Sequence, residues 1–299
     1  MKVRIMTPAI SSGGRPAFEA FRKGCLAVGD DCEFTTDLFD PCDVAVHASG
    51  VKSGRLRDSR LSTDRSTLIQ IHPKSRVVIE SPCFRQGLNV DPVEFWRVGL
   101  NGFLRDEADY ANEGVDGDRF DMIAEKQGIE VRDWKHGGDS ALIMLQKNTD
   151  ASLRGVDVRN WARSMAAQVK VNAPDLRIII RPHPLDRESF TPPSYAELSN
   201  DLSAKGLARD LESACAVITF TSLSAIESIC AGVPTWAMDT GSPAYDVANH
   251  HLGRLTDPWL ADDSRKYQWL AELAYTQWTI PEIEKGTPWK RLKRKLLEG

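Results

Sequence analysis

Residues 216–239 read AVITFTSLSAIESICAGVPTWAMD, and this stretch limits the fold more than any other part of the chain. AVITF is a short apolar run without the alternation of a strand that has one wet face, so it reads as a strand buried on both sides. AIESICAG has helical spacing and stops at Gly232, a residue free to take the left-handed conformation in which many helices end. VPTWAMD returns at once as another strand. Strand, short helix and strand in so few residues make a crossover, and crossovers belong to parallel sheets covered by helices.

The same alternation runs through the rest of the sequence. VRIM (3–6) is followed by a glycine loop, SSGG, and an amphipathic stretch, PAFEAFRKGCLAVG; CDVAVHA (42–48) and RVVIE (76–80) read as buried strands. Residues 106–121, rich in Asp, Glu, Gly and Asn, read as a loop. A second series starts at SALIMLQ (140–146) and continues with a helix in VRNWARSMAAQVKVN, a strand in LRIIIRPHP (176–184) and a helix in LARDLESA. From about Asp262 helical spacing returns, with Trp269, Trp278 and Trp289. At 299 residues the chain is too long for one small core. It is predicted to be α/β, with two Rossmann-like lobes at 1–137 and 138–262 and a helical tail at 263–299. KHGGD (135–139) is the expected joint.

Composition narrows the function classes. No apolar run approaches the ~20 residues that span a bilayer, so no membrane association is expected. MKVRIMTPAI, broken by Pro8, reads as a first strand rather than a secretory signal. The six cysteines are scattered, with no C-x-x-C pair, as in a cytoplasmic protein without structural zinc. A net charge of −4 argues against a strongly cationic nucleic-acid binder. Yet residues 51–79 hold seven basic against two acidic residues, and 285–299 six against one. Such patches can meet polyanions, and solvated faces account for either of them as well.

Polar residues gather where strands end. Thr221, Ser222 and Ser224 follow AVITF at a helix N-terminus, where unpaired N–H groups favour an anion such as phosphate. Glu227 lies three residues beyond Ser224, which is also the spacing of a capping box. Arg181-Pro-His-Pro closes another strand. Its Arg suits bidentate phosphate contacts, and His183 suits donation to a departing oxygen. The alternative pairs Arg181 with a nearby carboxylate such as Asp186.

From about 140 to 250 the chain resembles the donor lobe of GT-B glycosyltransferases, which hold a nucleotide sugar between two Rossmann-like lobes. His183-Pro and the hydroxyl pair are similar to the HP and SS motifs of bacterial sialyl- and Kdo-type transferases. SxSAIESICAGVP resembles the S-x-x-x-E-A-x-x-x-G-x-P signature, with Thr221-Ser222 for Ser-Ser and Ser228 for the usual Ala. QWT..EI..G..W in the tail resembles GT-B proteins of bacteriophages and their hosts, some of which glycosylate 5-hydroxymethylpyrimidines in DNA.

The resemblance implies a glycosyltransferase that uses a nucleotide sugar, UDP-linked such as UDP-glucose, with no other cofactor and no metal. Arg181 and His183 would face the diphosphate or leaving phosphate. Thr221, Ser222 and Ser224, with Gln146 and Lys147, would bind phosphate oxygens, and Glu227 the ribose hydroxyls. Gly13 and Gly14 would let backbone approach a ligand. The first lobe would hold the acceptor and a general base, His47 or Glu80, with Asp43 also at a strand exit. Against these, His47 also reads as a core residue and Glu80 as a partner of Arg85. Lys52, Arg55, Arg57 and Arg85 would meet double-stranded DNA as acceptor, with a surface or capsular glycan as the alternative. A nucleotide-sugar epimerase and a non-catalytic sugar-nucleotide binder share the fold. Oligomeric state is open.

Overall fold

The computed structural model describes residues 1–10, 12–48, 60–73, 75–84, 94–135, 137–186 and 189–298. They form two compact units, one of residues 1–120 with 270–299, the other of residues 121–269.

The first unit opens with β1 (Lys2–Met6), α1 (Arg15–Ala27), β2 (Asp31–Thr35), β3 (Val44–Ala48), α2 (Arg60–Ile71), β4 (Arg76–Glu80) and β5 (Phe95–Leu100). α3 (Asp118–Gln127) leads out of it and α7 (Asp263–Ala274) leads back, followed by β11 (Gln277–Thr279), α8 (Ile280–Glu284) and α9 (Thr287–Glu298). The sheet order is β11-β5-β4-β3-β1-β2. β2, β1, β3 and β4 run parallel, whereas β5 and β11 are antiparallel to their neighbours. Val3, Ile5, Val44, Val46, Val77, Ile79, Val98 and Leu100 pack with Phe18 and Phe21 of α1, Ile283 of α8 and Trp289 of α9. Gly24 is forced by this packing, because a Cβ there would sit 2.1 Å from the Ile283 carbonyl oxygen. At the amino edge, buried Asp30 accepts from the Met1 amine (2.5 Å), Trp289 Nε1 (2.7 Å) and Lys293 Nζ (2.7 Å).

The second unit holds β6 (Ser140–Met144), α4 (Val158–Asn172), β7 (Arg177–Arg181), β8 (Glu197–Leu198), α5 (Ala204–Ser213), β9 (Ala214–Thr219), α6 (Ser224–Cys230) and β10 (Thr235–Ala237). Its sheet, β10-β9-β6-β7-β8, is parallel throughout. Every residue of β6 is buried, as the apolar run implies. Asp157 caps α4 by accepting from the amides of Arg159 and Asn160. Gly232 ends α6 at φ +77°.

Four expectations need correction. The boundary near 137 falls instead at Phe120/Asp121. The supposed joint is tied into the second unit: the amides of Arg132 and Lys135 donate to Cys230 and Gly232 oxygens (2.8 Å each). Lys135 Nζ also holds the end of α5 through the Leu211 (2.6 Å) and Glu212 (2.8 Å) carbonyls. The tail is not a separate segment either, since from Leu270 on it completes the first unit. The loop expected over 106–121 stops short, because α3 begins at Asp118.

Candidate active site

In the second unit, Met144 pairs with both Arg181 and Thr219, and Thr219 pairs with Ala237. The loops after β6, β7, β9 and β10 therefore leave one carboxyl edge side by side. Ligands of open parallel sheets bind at such edges. Every donor-site residue expected from 146 to 227 is on or next to these loops, but their side chains are used in two different ways.

One group is spent on the fold. Arg181 is buried, and its Nη1 donates to Asp210 (2.7 Å), Ser199 (2.9 Å) and the Asp201 carbonyl (2.7 Å). Nη2 donates to the Ser203 carbonyl (2.8 Å). Arg181 thus binds the start of α5 rather than a phosphate. The alternative of a carboxylate partner is realised, with Asp210 in place of Asp186, which pairs with Arg159 at 3.3 Å. Gln146 and Thr221 form a buried brace between the exits of β6 and β9. The Thr221 amide donates to Gln146 Oε1 (3.0 Å), and the Thr221 hydroxyl contacts Gln146 (3.0 Å) and the Ser152 carbonyl (3.1 Å). Asp150 steadies Ser152 in turn, accepting from its amide (2.9 Å) and hydroxyl (2.8 Å). These two residues also hold loops together instead of facing an anion.

The other group keeps access to water. Lys147 is exposed and has no hydrogen-bond or ion-pair partner for its ammonium among the described residues. His183 is half-buried, and its Nδ1 accepts the Leu185 amide (3.1 Å), so a neutral ring carries its proton on Nε2 as a donor. Ser222 is half-buried, with its Oγ 2.7 Å from Ser224 Oγ and accepting the Ser224 amide at 3.2 Å. Leu223, not Ser224, is the N-cap of α6 and no side chain caps it, so the capping box does not form there. Glu227 is exposed on α6.

In the first unit, Gly13 and Gly14 lie in a 3₁₀ turn, Ser12–Gly14, before α1. A Cβ on Gly13 would meet nothing within 4 Å, and Gly14, at φ −88°, has no left-handed backbone that needs glycine. His47 is buried in β3, and its Nδ1 lies 3.0 Å from the Ala48 carbonyl oxygen. A carbonyl can only accept, so Nδ1 carries the proton and Nε2 is the basic nitrogen. His47 pairs with Val78 across β3 and β4, and Glu80 lies on the same face two residues on. Glu80 Oε1 accepts the Ser81 amide (2.8 Å) and hydroxyl (2.7 Å). Asp43 is taken up by the β1 amide of Lys2 at 2.7 Å.

Sequence reasoning passed over Gln277 and Arg97. They pair across β11 and β5 and grip the segment after β4. Gln277 Oε1 accepts the amides of Cys83 (2.8 Å) and Phe84 (3.0 Å), and Arg97 Nε donates to the Ser81 carbonyl (2.6 Å). An antiparallel return so late in the chain leaves no local signal. A D-x-D triplet, Asp116-Gly117-Asp118, is also present. Asp116 accepts the Tyr275 hydroxyl at 2.9 Å, and no group of three His, Cys, Asp or Glu able to hold a metal occurs among the described residues.

The basic patches divide similarly. Lys52, Arg55, Arg57 and Arg85 lie outside the described residues. Arg65 and Arg76, from the same basic stretch, are buried; Arg65 Nε donates to the Ala9 carbonyl (3.1 Å), and Arg76 donates to the His72 and Asn101 carbonyls. In the tail, Lys293 holds Asp30, Lys295 lies 3.6 Å from Asp109, and Arg291 donates to the Ala111 carbonyl (2.7 Å).

No protein-family model matches the chain, and no curated protein matches it. Solved structures do. Thermosulfurimonas dismutans KpsC, beta Kdo 2,7 transferase, is similar over 99% of this chain and 100% of that one, with a TM-score of 0.56 at 12% identity. The beta Kdo 2,4 transferase of the same KpsC gives a TM-score of 0.52 at 13% identity, over 85% of this chain and 88% of that one. The chain has the GT-B fold. At such identity the likeness establishes the architecture, and the chemistry has to be argued from the residues at the strand ends. No helix among the described residues is long and apolar enough to cross a membrane.

Proposed function

We propose that the chain is a glycosyltransferase that takes a sugar from a nucleotide-sugar donor held at the carboxyl edge of the second unit's sheet. The observation that carries this reading is the group of open polar residues there: Lys147, His183, Ser222, Ser224 and Glu227 on neighbouring exits of one parallel sheet. A phosphate is the ligand that such donors suit. Lys147 supplies charge, His183 Nε2–H a directed donor, and the two serines hydroxyls that can turn toward oxygen. Glu227 can only accept when ionised, which suits ribose hydroxyls. The leaving phosphate would be stabilised by these protein groups, with no metal in the scheme.

Within the first unit, His47 and Glu80 stay the two candidate bases: the His47 tautomer makes Nε2 its basic nitrogen, and Glu80 ends β4. As acceptor we favour a glycan hydroxyl. The residues that suggested hydroxymethylated double-stranded DNA are outside the described residues or, like Arg65 and Arg76, turned inward. The KpsC structures, named as Kdo transferases, agree with a glycan setting.

The test is an assay of the whole chain with UDP-, CMP- and GDP-linked sugars, including UDP-glucose and CMP-Kdo, against capsular oligosaccharides and 5-hydroxymethylcytosine DNA. A mass gain on a glycan is the expected result. A gain on DNA moves the acceptor, conversion of donor alone makes the chain an epimerase, and binding without turnover by any donor makes it a sensor.

A further inference from the structure

We propose that Arg154 is the guanidinium that receives the donor's phosphate, and that Asp239 holds it in reserve as an internal substitute for that phosphate. The inference rests on the reading of the second unit as a nucleotide-sugar site. It begins from a deficit. Arg181 is committed to Asp210, and Arg159 to Asp186. Among the described residues, Lys147 and Arg154 are the cations on the segment between β6 and α4.

The position of Arg154 follows from strand order. It comes after β6 and its partner Asp239 comes after β10, with β9 lying between those strands in the sheet. An ion pair joining the two outer exits has to cross the exit of the middle strand, where Ser222 and Ser224 sit. The turn that carries Arg154 is anchored to that same exit, because Ser152 bonds Thr221.

The pair itself is poorly made for a structural bond. Its Nη1–Oδ1 distance is 3.4 Å, and both side chains keep access to water, at 32% and 23% exposure. Well-formed guanidinium–carboxylate contacts are nearer ~2.8 Å. The same Oδ1 also accepts the Gly241 amide, at 2.9 Å.

The backbone gives a separate indication. Arg154 has φ +51° and is followed by Gly155 at φ +91°. A left-handed conformation disfavours a residue with a Cβ, and glycine would meet no steric penalty there. Strain of this kind concentrates where a side chain is needed for function. On binding, the guanidinium leaves the carboxylate for phosphate oxygens, and Asp239 keeps its Gly241 amide.

The experiment is calorimetric titration of UDP, CDP, CMP and GDP into the whole chain, with melting temperatures recorded for each variant. Arg154→Gly is expected to melt at or above the wild-type temperature, because strain is relieved, yet to bind at least about tenfold more weakly. Arg154→Lys should fall in between. Asp239→Asn is expected to tighten nucleotide binding about three- to tenfold, and to gain nothing over Arg154→Gly alone when the two are combined. Wild-type affinity in Arg154→Gly, weaker binding in Asp239→Asn, or tightening that survives in the double variant each overturns the assignment. If the wild type binds none of the four nucleotides, the functional reading falls and takes this inference with it; if it binds any of them and Arg154 is immaterial, only the inference falls.

Discussion

The two sheets spend the polar residues at their carboxyl edges differently. In the second unit, buried Arg181, Gln146 and Thr221 fasten the loops, while Lys147, His183 and Ser222 beside them stay open to water. In the first unit the corresponding residues are mostly enclosed: His47 is buried in β3, and the segment after Glu80 is gripped by Arg97 and Gln277 from strands that come later in the chain. A polar residue at a strand exit is therefore not by itself a ligand contact. In the second unit, exposure separates the residues offered to a ligand from those that brace the loops.

Arg181 gives this distinction its severest test. Removing one partner of a buried, multiply bonded pair leaves the other uncompensated and costs about 3–5 kcal/mol. Arg181→Ala is expected to lose that much in urea unfolding, through Asp210, Ser199 and the start of α5. A variant of near wild-type stability that had lost nucleotide binding would return Arg181 to the ligand group and erase the comparison.

The amino edge of the first sheet provides the control, since no ligand is expected there. Burial alone would raise the Asp30 carboxyl, but hydrogen bonds from Lys293, the Met1 amine and Trp289 outweigh it and hold the pKa below the ordinary value. A depressed carboxylate contributes stability that is present above its unfolded pKa, near ~4, and is lost as pH falls through the folded value. Asp30→Asn should cost about 2–3 kcal/mol at pH 7 and flatten the acid limb of the stability curve. Nucleotide affinity should not change.

Thr221→Val is expected to have a smaller effect. It removes the hydroxyl shared with Gln146 and the Ser152 carbonyl, which leaves buried polar groups short of a partner at about 1–3 kcal/mol. Binding should weaken only as far as the brace loosens the exit of β9, so a loss of affinity at unchanged melting temperature would make Thr221 a ligand contact.

The sequence made the second unit legible because β6, β7 and β9 are built on continuous apolar runs, and α4 and α6 carry end signals in Asp157 and Gly232. Periodicity also located the strand exits. It could not say which exit residues were already taken, because Arg181's partner lies in α5 and Thr221's in the β6 loop, both distant in sequence. The first unit was harder to read for the same reason. β5 and β11 meet only after the whole second unit has intervened, and their antiparallel pairing leaves no turn signal between them. Arg154 was marked only by the Gly155 that follows it, a hint of a turn that gave no sign of the ion pair.

Ser222 is expected to show the smallest effect on stability and the sharpest on function. Among the described residues its hydroxyl bonds within its own turn, to Ser224, and it is half-buried, so Ser222→Ala should shift unfolding by no more than about 0.5 kcal/mol. A hydroxyl donated to a phosphate oxygen is a charge-assisted hydrogen bond, worth about 1.5–3 kcal/mol, so nucleotide affinity should fall roughly tenfold to a hundredfold. The contrast with Thr221, one residue earlier, is then the whole distinction on a single strand exit. Thr221→Val would lose stability first and Ser222→Ala affinity first, and a swap of those two outcomes would mean that exposure is the wrong guide to this edge.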